Sequence, residues 1–106
     1  MKIRFKKNVR PEARKAALKL IDDYGIMDAG GVLYLRTFAD AYTQELNGMD
    51  IVAVDGLTFK DRFGQIKAHP LCGPIRDARS QKMAALKALN LDLEPLRDAP
   101  GRPGGN

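Results

Sequence analysis

A chain of 106 residues and 11.7 kDa is enough for one small domain and too little for two, and a lone cysteine excludes an internal disulfide framework. No apolar run approaches the roughly 20 residues of a membrane span, and the basic start MKIRFKKNVR lacks the apolar stretch of a signal peptide. The expectation is a soluble cytoplasmic protein with no membrane partner. The formal net charge is +5, unevenly placed: residues 1–20 hold eight Lys or Arg against Glu12 alone, which is +7, and the other 86 residues sum to −2. A basic arm on a nearly neutral body favours a polyanion partner, because each neutralised phosphate releases counterions.

Residues 1–10 read as a basic flexible arm, with Ile3 and Phe5 alternating with charge as a short strand would. Pro11 suits the first position of a helix, and Glu12 suits the positive end of its dipole. Ala13, Ala17, Leu20, Ile21 and Tyr24 then form one helical stripe, which Gly25 ends. Asp28 is a cap for a second helix over about 29–46, where Leu35, Phe38, Ala39, Tyr42 and Leu46 recur at threes and fours. Asn47-Gly48 is read as its end. From VAVDG onward the period changes, and a hairpin is predicted near 56–67, with Asp61 to Gly64 as the turn and Gly64 at positive φ. A third helix begins at Pro70 or at Pro74, both of which suit a first turn. It runs through Ile75, Ala78, Met83, Leu86 and Leu89 to about Asn90. Residues 91–106, LDLEPLRDAPGRPGGN, read as a flexible tail, with Leu91, Leu93 and Leu96 as apolar anchors for docking. The fold class is therefore mainly α, about three helices with a short hairpin between the second and third.

Chemistry-bearing residues are few. His69 and Cys72 stand three apart, but a metal site needs three or four ligands and no second cluster exists. As a nucleophile and base they have nothing to orient the imidazole. The pair is read as the start of a helix, with Cys72 as a small hydrophobe. Asp22-Asp23 stand at a helix C-terminus, an unfavourable place for carboxylates, and are expected to pair with Lys19 or a neighbouring chain. Asp40 and Glu45 are five apart and do not share a helical face, so no paired carboxylate centre forms. A phosphate-loop signature is absent. The reading is a binding and assembly protein, not an enzyme, with no cofactor and no metal. Arg10, Arg14 and Lys15 are the foremost candidate phosphate contacts, and Lys6 and Lys7 add longer-range attraction.

The order of several pieces carries a family resemblance. Phe38 and Tyr42 on a helix are followed by a hairpin at Gly64 to Lys67, by His69-Pro70, by Arg76-Asp77-Ala78-Arg79, by Asn90-Leu91-Asp92-Leu93-Glu94-Pro95, and by a final GRPGG. Over about residues 12–105 the chain resembles the small terminase subunits of tailed bacteriophages. The resemblance implies a non-catalytic subunit that binds double-stranded viral DNA and passes it to a large terminase subunit holding the ATPase and nuclease, in the cytoplasm of the bacterial host. It implies a homo-oligomeric ring of about eight to twelve chains built by the central helices, with Leu35, Phe38, Tyr42, Leu46, Ile75, Met83 and Leu86 as core candidates of the assembly. It places the tail from Leu91 against the large subunit and makes Arg10, Arg14, Lys15 and Lys19 candidate DNA contacts. Many family members have a longer leader than the ten residues here, so the arm and first helix are the expected electrostatic contacts. The alternative from another class is a small dimeric regulator that binds a specific DNA sequence.

Overall fold

The structure, a computed structural model, describes residues 3–89. Candidate docking residues Leu91, Leu93 and Leu96 lie outside them. Three helices and one hairpin follow in the order α1 (Pro11–Tyr24), α2 (Ala29–Asp55), β1 (Thr58–Lys60), β2 (Ile66–Ala68) and α3 (Cys72–Ala88). In α1, Pro11 occupies the first turn, and Gly25 closes the helix at φ +63° by donating its N–H to the Ile21 carbonyl at 2.8 Å. A left-handed residue here is the conformation that glycine adopts without a Cβ penalty. Asp28 caps α2, its carboxylate accepting from the Gly31 N–H at 2.9 Å.

The second helix corrects the sequence reading. It passes through Asn47-Gly48 and ends at Asp55, so Val52–Asp55, assigned to an extended piece, are helical. A glycine inside a helix costs about 1 kcal/mol relative to alanine, but Gly48 has a tertiary reason to be there. A Cβ built on it would meet Ile75 Cγ1 of α3 at 2.6 Å. The missing side chain is what lets α3 lie close on α2, and the packing outweighs the local propensity. Asn47 is likewise engaged, accepting from Arg10 at 3.2 Å. Gly56, at φ +94°, ends the helix by donating to the Val52 carbonyl.

β1 and β2 pair antiparallel in the register Thr58↔Ala68, Phe59↔Lys67 and Lys60↔Ile66. Their turn closes as expected, with Gly64 at φ +79°. Asp61 organises it, one carboxylate oxygen accepting from the N–H groups of Phe63 at 2.8 Å and Gln65 at 2.9 Å. Neither proline alone marks the start of α3. The helix begins between them, with Leu71 at its cap and Pro74 as its third residue. In the first turn that nitrogen would have had no helical partner, so the proline removes nothing.

α2 is the central post. α1 packs on its first half, and α3 runs antiparallel along it, bringing Ile75 to Gly48, Arg79 to Glu45 and Lys82 to Tyr42. The core gathers at one end, where Ala13 and Ala17 of α1 meet Leu35, Phe38 and Ala39 of α2 and Ala85 of α3. The segment before α1, read as a flexible arm, joins this core. Val9 is buried, Ile3 and Phe5 pack against the cluster, and the Arg10 N–H donates to Thr43 Oγ1 at 3.0 Å. The physical reason is the alternation itself, since Ile3, Phe5 and Val9 supply an apolar edge that α2 covers.

Candidate functional site

The basic residues of the first twenty positions divide into two groups. Arg10 sits at the centre of a clamp. Its guanidinium donates to both oxygens of Glu12, at 3.3 and 2.9 Å, and to Asp50 and Asn47 of α2. The hydrogen bonds that Arg10 donates to Glu12 and then to Asp50 raise its pKa further above its ordinary range, and the Arg10 hydrogen bond holds the Glu12 carboxyl below the usual carboxylate value. Lys6 pairs with Asp40 at 3.4 Å, Lys19 with Asp23 at 3.3 Å, and Arg14 donates to the Val9 carbonyl at 3.2 Å. Lys7 and Lys15 are exposed and have no ion-pair partner among the described residues. Four of the six candidate phosphate contacts are thus tied to the fold, and two stand open.

The most organised polar cluster was not legible in the chain order. Glu45 is 4% exposed. Arg79 Nε donates to its Oε2 at 2.6 Å, and the Lys82 ammonium lies 2.7 Å from its Oε1 as an ion pair without the alignment of a hydrogen bond. The ammonium also sits 4.4 Å from the centre of the Tyr42 ring. Burial pushes the Glu45 pKa up, but Lys82 and Arg79 outweigh it and hold the carboxyl below its usual value. One signal in the sequence marks it: Phe38, Tyr42 and Glu45 stand at i, i+4 and i+7, so the carboxylate lies on the apolar stripe and needs a partner from another helix.

His69 ties the hairpin to α2. Its Nδ1 accepts from the Leu71 N–H at 3.0 Å, which leaves the proton on Nε2, and Nε2 donates to Asp55 at 2.9 Å. The His69 N–H donates to the Leu57 carbonyl at 2.7 Å. Both ring nitrogens are engaged, so neither is open to a substrate proton in this arrangement. Cys72 Sγ lies 4.0 Å from the Leu57 carbonyl oxygen, and the imidazole nitrogens are bonded to Asp55 and to the Leu71 N–H rather than to the thiol. His69→Ala removes an acceptor for the start of α3 and a donor to the end of α2. It is expected to lower stability by about 1–2 kcal/mol, read as a lower midpoint in urea, while the helical content at zero denaturant stays unchanged. An unaltered midpoint would mean that the hairpin base is held by the backbone alone. Among the described residues no three His, Cys, Asp or Glu converge as a metal site.

Of the seven assembly-core candidates, Leu35 and Phe38 are buried in the chain's own core, and Tyr42, Leu46, Ile75 and Leu86 are half-buried. Met83 keeps 55% of its surface exposed. The unpartnered apolar surface lies elsewhere, on the second half of α2 and the hairpin. Val54 is 86% exposed, and Ile51, Leu57, Phe63 and Ile66 are exposed with it. Beside them a groove of about 560 Å³ runs between α2 and α3, lined by Met49, Val52, Leu57, Cys72 and Ile75. No described helix is long and apolar enough to cross a membrane. No family model, no curated protein and no solved structure matches the chain.

Proposed function

We propose that the chain is a small terminase subunit, without catalytic activity of its own, that binds double-stranded viral DNA as a homo-oligomer and delivers it to a large terminase subunit for genome packaging. The observation that carries this reading is the apolar surface of Ile51, Val54 and Leu57 at the end of α2, which no element of the chain covers among the described residues. Large apolar side chains left exposed close together in the chain of a small domain point to a contact site. A head-to-tail contact between copies covers such a surface and closes into a ring. The order of motifs from Phe38 to Pro95 supports the family assignment, and the open cations support a polyanion partner. In this reading the segment with Leu91, Leu93 and Leu96 approaches the large subunit.

The test is the absolute mass in solution, by light scattering during size exclusion at low and high salt. A mass of about eight to twelve times 11.7 kDa is expected. A dimer insensitive to salt would sink the ring and favour the small regulator instead. The companion measurement is binding to duplex DNA, whose affinity is expected to fall steeply with salt.

A further inference from the structure

We infer that the β1–β2 hairpin is a contact surface for duplex DNA, with Lys60, Arg62 and Lys67 as its phosphate ligands. The inference rests on the DNA-binding reading above and moves the main contact away from the amino-terminal segment. Its basis is the distribution of partners. Arg10 and Arg14 serve the fold, and Lys6 and Lys19 each face a carboxylate, which leaves Lys7 and Lys15 open among the six. The hairpin's cations are open as well: Lys60, Arg62 and Lys67 are all exposed, and no carboxylate lies within ion-pair distance of them among the described residues.

The one carboxylate of the hairpin, Asp61, accepts from the N–H groups of Phe63 and Gln65 inside the turn. It holds the loop's shape rather than pairing with a neighbouring cation. Arg62 stacks by the Phe63 ring, 5.3 Å from its centre. A cation–π contact of this kind places no carboxylate on the guanidinium N–H donors. The cross-strand pairs Phe59↔Lys67 and Lys60↔Ile66 put one cation and one large apolar side chain on each face of the ribbon. Neither edge of this two-stranded sheet is paired to a further strand among the described residues. A two-stranded ribbon has the cross-section that the major groove of B-form DNA admits, with phosphates on either side of it. The base of the ribbon is fixed by the His69 bonds to Asp55 and Leu57, so the three cations are presented on a braced element.

The experiment measures fluorescence anisotropy of a labelled mixed-sequence duplex across a salt series. It compares the full chain with Lys60→Gln/Arg62→Gln/Lys67→Gln and with Lys7→Gln/Lys15→Gln. The hairpin triple variant is expected to bind at least about tenfold more weakly at low salt, with a log–log salt slope shallower by about 2–3 per chain, and the amino-terminal pair is expected to change the slope less. Gln65→Lys adds a cation at the same turn without using a side-chain bond of the fold, and is expected to steepen the slope by about 1. Circular dichroism confirms that each variant is folded, and light scattering gives its mass. An unchanged slope in the triple variant overturns the inference while leaving DNA binding itself intact. A fall in oligomer mass on the same substitutions would assign the hairpin to a contact between copies and overturn it as well. Absence of duplex binding by the unaltered chain would remove the DNA-binding reading itself, a result distinct from the other two.

Discussion

Gly48→Val is expected to destabilise the protein by about 2–3 kcal/mol, the range that overpacking a close-packed interface produces. The cause is geometric. A Cβ at position 48 falls 2.6 Å from Ile75 Cγ1 and 3.2 Å from its Cδ1, and valine adds two methyl groups beyond it. α3 must then move off α2, which also stretches the Arg79–Glu45 contact one turn away. Gly48→Ala separates the opposing terms. It brings back about 1 kcal/mol of helix propensity but keeps the Cβ clash, so its net effect is expected to be smaller than that of valine. Ile75→Ala makes room, and the double variant Gly48→Val/Ile75→Ala is expected to be less destabilised than the sum of the singles. The coupling read by a double-mutant cycle in urea is expected to be about 1–2 kcal/mol. Simple additivity would show that the two helices do not meet at this point.

Glu45→Leu is expected to cost about 2–4 kcal/mol, because it leaves the largely buried Lys82 ammonium without its carboxylate. Arg79 contributes less to this loss, since its side chain is 55% exposed and turns to water. The same cluster predicts a pH dependence of defined sign. The Glu45 pKa is lowered in the folded state, so the unfolded chain binds the proton more readily. The contribution to stability is therefore present above the ordinary carboxylate pKa of about 4.3 and is lost as pH falls through the lower folded value. Glu45→Gln removes the titration, and its urea midpoint is expected to fall less between pH 5 and the acid limit, roughly pH 3, than that of the unaltered chain. Parallel curves for the two proteins in that window would mean that the acid transition belongs to other carboxylates.

What could be read from the chain and what could not divide along the distance between interacting residues. The Asp28 cap, the Gly25 stop of α1 and the Gly64 turn are set by bonds within a few residues, and each stands where the sequence places it. The passage of α2 through Gly48 is matched by Ile75, twenty-seven positions on, which packs where a side chain would stand, and a local reading takes the glycine for a stop. The start of α3 was ambiguous for a related reason. Two prolines each suit a first turn, and the His69 bond to the Leu71 N–H is not visible as a pattern. The candidate site shows the same limit. Position in the sequence made Arg10 a free cation, but Asp50 and Asn47, some forty residues on, engage it in the fold. The cations of the hairpin drew little notice as a charge run because Asp61 stands among them, and only the turn geometry shows that one of its oxygens is spent on the loop's own N–H groups.

The alanine-rich core has a consequence for how the chain comes apart. Ala13, Ala17, Ala39 and Ala85 let the helices approach closely around Leu35 and Phe38, all at one end of α2. Beyond Gly48 the helix is covered on one side only, by the start of α3. Local opening in proteins follows the density of buried contacts. Opening is therefore expected to begin at the hairpin end, where the His69–Asp55 bond is a contact that holds α2 and the ribbon together, and to travel inward toward the alanines.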